Sequence, residues 1–107
     1  MNTPDDLLKL LGNNLRMLRR KNNLSQMAFA EKTEKSQTFI NNIENGKKWI
    51  SVETLSTFCR VLKVPPHEFF ITEDIRNEKN ALNILSKHKQ FIEHIREMFA
   101  KYGEETE

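Results

Sequence analysis

With 107 residues, 30% of them charged, and a formal net charge of +2, the chain can build one modest hydrophobic core and is too short for two domains of ordinary size. A lone Cys59 excludes an intrachain disulfide, and no signal peptide or apolar run of membrane-spanning length is present, so a reduced cytoplasm is the expected setting. His67, His88 and His94 are scattered, and there is no His-Glu-x-x-His or Cys-x-x-Cys spacing, no Gly-rich phosphate loop and no nucleophile motif, so neither an enzyme nor a metal or other cofactor is expected.

Three glycines and three prolines in the whole chain favour an all-helical protein. Thr3-Pro4-Asp5-Asp6 reads as a helix start, with Thr3 as cap, Pro4 at the first helical position and two acids against the positive end of the dipole. Leu7, Leu8, Leu11, Leu15 and Leu18 then repeat at helical spacing to about Lys21, and Asn22-Asn23 closes the element. Ser25 and Ser36 each precede a glutamine, eleven residues apart, and a serine oxygen can accept from the unpaired amides of a first turn. Each opens a short helix across a three-residue gap. Gly46, after Asn45, stops the second of them at about three turns, because only glycine enters the left-handed region without penalty.

That spacing predicts a helix-turn-helix, and the faces of its second helix say what it meets. At 100° per residue Phe39, Ile40 and Ile43 share the core side, while Gln37, Thr38, Asn41, Asn42 and Asn45 share the opposite arc. The outer arc carries amides and a hydroxyl and no charge, and asparagine and glutamine offer the donor-acceptor pair that matches adenine N6 and N7 in a major groove. Around it, between Arg16 and Lys48, stand eight basic residues (Arg16, Arg19, Arg20, Lys21, Lys32, Lys35, Lys47, Lys48) against three acids (Glu31, Glu34, Glu44), a local net of +5. Cations displace counterions at phosphates and neutral groups read base edges, so double-stranded DNA is the expected partner.

Ser51 opens a fourth helix, with Leu55, Phe58, Cys59 and Leu62 on one stripe, and Pro65-Pro66 separates it from a short element in which Phe69 and Phe70 seal the core. Trp49, in the preceding loop, could lie on a sugar-phosphate strand, but covering the core edge is the expected use. From Glu73 to Tyr102 the apolar residues Ile75, Leu82, Leu85, Ile92, Ile95, Phe99 and Tyr102 recur at mostly three, four or seven residues, as one amphipathic helix or two with a break near Ser86 to Lys89. The stripe either folds back or pairs with a second copy. The expectation is a homodimer, with Leu82, Leu85, Ile92, Ile95 and Phe99 at the interface, since a compact reader needs two half-sites for affinity. Residues 1–71 hold 11 basic and 7 acidic groups and residues 72–107 hold 6 and 8, so the chain divides into a basic DNA-binding part and a C-terminal helical extension. The terminal GEETE is expected to fray.

Residues 11–70 resemble the lambda-repressor/Cro type of helix-turn-helix domain, a five-helix fold. The likeness rests on Leu15, Leu18 and Arg19, on Ser25-Gln26 and Ser36-Gln37, on Ile40, Ile43-Glu44 and Gly46, and on Leu55, Leu62 and Val64, all in order and at that spacing. The resemblance implies that Gln26 touches a DNA phosphate and braces Gln37, that Gln37 reads a base edge with Thr38 and Asn41, and that Asn45 and Lys47 hold the backbone. Asn42 joins the expected base readers, and Lys35, Ser36 and Lys48 the expected phosphate contacts. It also implies an ion pair between Arg19 and Glu44, which makes Glu44 structural. The chain departs from the pattern in the turn, where Glu34 and Lys35 replace the usual glycine and aliphatic residue after Thr33; a left-handed Glu34 would cost about 1 to 2 kcal/mol, so the turn takes another shape or the domain tolerates the strain. Met27 and Ala28 stand where an acidic reciprocal cap is common, and Ile50 where proline is common.

The function expected from this set is a sequence-specific transcription regulator, a repressor that occupies an inverted-repeat operator as a dimer. The competing expectation is a protein-interaction module, such as an antitoxin holding its partner protein.

Overall fold

The computed structural model describes residues 3–72 and 81–103, with the side chains of 81–88 outside that description. Five α-helices and one 3₁₀ turn follow in order: α1 (Pro4–Lys21), α2 (Gln26–Thr33), α3 (Gln37–Glu44), α4 (Val52–Leu62), the turn Pro66–Phe69, and α5 (Ala81–Tyr102). No strand occurs among the described residues.

The first four helices begin alike. Thr3, Ser25, Ser36 and Ser51 each sit in extended conformation, and each side-chain oxygen accepts from the amide three residues on, at Asp6, Ala28, Phe39 and Thr54. They also end alike, with a left-handed residue at Asn23, Glu34, Gly46 and Lys63. Behind each, an amide folds back five residues: Leu24 to Arg19, Lys35 to Ala30, Lys47 to Asn42 and Val64 to Cys59. This closure leaves α3 only eight residues, shorter than the three turns its sequence suggests. Glu34 does adopt the left-handed conformation, at φ 58° and ψ 36°, so the strain foreseen for a non-glycine residue is tolerated. Thr33, which precedes it, is buried and donates its hydroxyl to the carbonyls of Phe29 and Ala30.

The core lies where α1 crosses the other helices. Leu7, Leu11, Leu15 and Leu18 of α1 meet Phe29 of α2, Phe39, Ile40 and Ile43 of α3, and Phe58 and Leu62 of α4. Phe58 stacks between Phe29, at 5.0 Å, and Phe69, at 6.4 Å. Asn14, buried within the leucine stripe, donates its amide to the carbonyls of Phe69 and Ile71 and ties the 3₁₀ turn to α1.

α5 runs without a break through residues 86–89 and lays its apolar face on the same core. Phe91, Ile95 and Met98 are buried. Trp49, 4% exposed, lies 5.9 Å from Phe70 and 5.4 Å from Phe99, so it covers the core edge. Two residues expected at a dimer interface, Ile95 and Phe99, are therefore used within their own chain, because Trp49 and Phe70 present an apolar ledge that this stripe covers. Ile92 stays 42% exposed. The side chains of Leu82 and Leu85, residues 73–80 including Ile75, and the GEETE tail beyond Gly103 lie outside the described residues.

What holds α3 against α1 is a buried charge cluster and a close backbone approach. Glu44, at the last position of α3 with its side chain fully buried, receives Arg19 in two bonds, Nε at 2.6 Å and Nη2 at 2.9 Å. Arg19 spends another N–H on the Leu24 carbonyl, at 2.7 Å, which fixes the α1–α2 corner as well. One and two turns earlier on α1, Arg16 and Gly12 face the same helix end; a Cβ at Gly12 would stand 2.4 Å from the Ile43 carbonyl oxygen and 2.8 Å from that of Glu44.

Gly12→Ala gains about 1 kcal/mol of helix propensity yet should destabilise the domain, because two backbone carbonyls block the methyl; a lower midpoint in urea tests this. Burial pushes the Glu44 carboxyl up, but hydrogen bonds from Arg19, Gln26 and Arg16 and the Arg19 charge outweigh it and hold the carboxyl below its ordinary value. A depressed folded pKa means its contribution is complete above the unfolded value, about 4.3, and is lost as pH falls below that through the folded pKa. Glu44→Ala should cost about 3 to 5 kcal/mol at neutral pH by stranding Arg19, and Glu44→Gln should flatten the acid limb of the stability profile.

Candidate nucleic-acid interface

α3 presents its amide face outward. Gln37, Thr38, Asn41 and Asn45 are exposed, and Asn42, at the margin of the arc, is half-buried. The inner side of the helix, Phe39, Ile40, Ile43 and Glu44, is sealed against the core, so the two faces divide as their spacing requires. No ionisable side chain belongs to the exposed arc itself.

Cations stand at both ends of this face. Lys35, just before α3, and Lys48, just after it, hold their ammonium groups over the Phe39 ring, 5.0 and 5.5 Å from its centroid. The ring is itself 2% exposed, and the two lysines lie over it while remaining half-exposed themselves. Lys47 is exposed, and its backbone amide closes the α3 terminus on Asn42. Ser36 is exposed, and its oxygen accepts from the Phe39 amide as the cap of α3.

Gln26 opens α2 at the foot of this face and departs from expectation. Its amide donates to Asn41 Oδ1 at 3.3 Å and to Glu44 Oε1 at 3.1 Å, and not to Gln37. The cause is Glu44: an acceptor-only carboxylate at the end of α3 draws the amide one turn further along the helix than the resemblance implied. Gln37, in the first turn of α3, is exposed on the outer face.

Arg16 is a member of the site that reading the sequence did not single out. Its guanidinium donates to Glu44 Oε1 and to the Glu44 carbonyl, both at 3.3 Å, and to Asn45 Oδ1 at 3.1 Å. It therefore joins the buried carboxylate to an exposed amide at the C-terminal end of α3. The signal was present, since Arg16 precedes Arg19 by three residues and must share its helix face.

Among the described residues no group of His, Cys, Asp and Glu side chains is arranged to hold a metal ion, and no helix is long and apolar enough to cross a membrane.

Comparisons with known proteins agree with this arrangement. A helix-turn-helix family model matches residues 15–69, from the middle of α1 to the 3₁₀ turn. The Control protein C.MunI of a Mycoplasma species is 35% identical over 75 residues, covering 69% of this chain and 99% of that protein. The crystal structure of the restriction-modification controller protein C.AhdI from Aeromonas hydrophila matches with a TM-score of 0.56 at 27% identity, over 59% of this chain and 96% of its own. A structure of the clp gene regulator ClgR from Corynebacterium glutamicum, at 21% identity and a TM-score of 0.58, shares the fold over 89% of this chain and 94% of its own. The chain belongs to the helix-turn-helix family of the lambda-repressor/Cro type, and it is a DNA-binding transcriptional regulator.

Proposed function

We propose that α3 lies in the major groove of an operator and reads it with Gln37, Thr38, Asn41 and Asn42, while Gln26, Lys35, Ser36, Asn45, Lys47 and Lys48 engage the flanking phosphates. The observation that carries this reading is the exposed face of α3, free of charge along its length and bracketed by lysines at both ends. Neutral amides can bond base edges without a desolvated charge, and cations supply the sequence-independent affinity. Binding alone is the activity: a protein seated on DNA that overlaps a promoter represses by occupancy.

The protein acts as a homodimer on an inverted repeat, with two-fold related α3 helices entering successive major grooves about 34 Å apart. Support for this is the small size of the single reading face, eight residues of one helix, which touches too few base pairs for high affinity alone. The names of two relatives, a control protein and a restriction-modification controller, point to the genes of a restriction-modification system as the regulated set. Restriction and methyltransferase reading frames beside the gene would support that assignment, and a toxin frame would count against it.

Binding to a selected operator and to random duplex, at fixed salt, tests the division of labour. Gln37→Ala should cost about 1 to 3 kcal/mol on the operator and relax its sequence preference, while Lys47→Ala should weaken both duplexes alike and lower the salt slope by about one. Equal losses on operator and random DNA for Gln37→Ala would reject the base-reading role.

A further inference from the structure

Gln26 has two acceptors within reach of one nitrogen, Glu44 Oε1 at 3.1 Å and Asn41 Oδ1 at 3.3 Å. Chemistry dictates which way this amide faces. An ionised carboxylate has no proton to give, so only the NH₂ end of Gln26 can meet Glu44; the reverse orientation would press a carbonyl oxygen against a carboxylate oxygen. The second proton of the same nitrogen then points at Asn41, which must answer with its oxygen. The NH₂ group of Asn41, an exposed side chain in the middle of the α3 face, is thereby turned away from α2.

Resting on the reading that α3 lies in the major groove, we propose that Gln26 is a positioning residue for specificity. It locks the polarity of Asn41, so that Asn41 reads the single base it faces as a hydrogen-bond donor. The terminal torsion of an unbraced asparagine is soft and two-fold, so its amide can offer either end and discriminates weakly between donor and acceptor edges. Braced, it demands an acceptor: guanine N7 or O6, adenine N7, or thymine O4. Cytosine, whose major-groove edge offers only the N4 donor, is rejected at that position. The sense of the lock comes from outside the interface, because Arg19 fixes the Glu44 carboxylate, Glu44 orients Gln26, and Gln26 orients Asn41.

Selection from random duplexes at one salt concentration, with the full chain and with its Gln26→Ala and Asn41→Asp variants, tests this. The wild type should show one half-site position at which cytosine is depleted about tenfold. Gln26→Ala should lose that depletion at that position alone, whatever uniform weakening it shows elsewhere. Asn41→Asp keeps the shape and the bond from Gln26 but replaces the donor with an acceptor, so preference at the same position should invert toward cytosine or adenine N6. A Gln26→Ala profile identical to wild type with all affinities lowered equally would overturn the proposal and leave Gln26 a phosphate contact. Should Gln26→Ala lose its helical circular dichroism, Asn41→Asp decides: inversion supports the lock, and an unchanged preference overturns it. Failure of the wild type to bind any duplex would reject the groove reading itself, an outcome distinct from a wild type that binds but tolerates cytosine.

Discussion

The Glu44 carboxylate is the junction on which the arrangement of the first three helices depends. It is buried at the end of α3 and takes hydrogen bonds from Arg19 and Arg16 of α1 and from Gln26 of α2. An unpaired carboxylate in that position would carry a desolvation penalty of several kcal/mol, so the three helices can meet only in the geometry that brings these donors together. A hydrophobic contact at the same place could slide; a bidentate guanidinium on a carboxylate cannot, because its two bonds fix angle as well as distance. The exposed face of α3 inherits that precision, since Gln26 and Arg16 pass from the buried carboxylate to Asn41 and Asn45 at the surface.

Helices as short as α2 and α3, eight residues each, do not hold in water by themselves. Their ends are therefore tied at every opportunity. Serine caps satisfy the first amides and left-handed closures satisfy the last carbonyls. The use of Glu34 and Lys63 at two of these closures, where glycine would cost less backbone strain, shows that the fold-back bond and the packing behind it outweigh about 1 to 2 kcal/mol of local strain at each. Only at Gly46 does the closure use the residue that the left-handed region favours.

The C-terminal helix changes the picture of the core's edge. Trp49 and Phe70 would leave a broad aromatic surface open if the chain stopped at the 3₁₀ turn; Phe91, Ile95, Met98 and Phe99 cover it. The extension is thus part of the same core as the DNA-binding helices, and the loop that carries Lys47 and Lys48 is anchored through Trp49 to α5.

Local chemistry was legible from the chain alone: where each of the first four helices starts, where α3 stops, and which of its faces is apolar. These depend on hydroxyl caps, a glycine and a 3.6-residue period, all of which act within a few residues. Three things were decided only by the tertiary structure. Gln26 turned to Asn41 and Glu44 rather than Gln37, since the nearest strong acceptor is set by how two helices cross. Arg16 joined the site, because a basic tally does not say which cation reaches an amide 29 residues away. Ile95 and Phe99 turned inward, because an apolar stripe specifies that it must be buried but not against what, and the ledge that received it is assembled from residues some thirty to fifty positions distant, brought together by the fold.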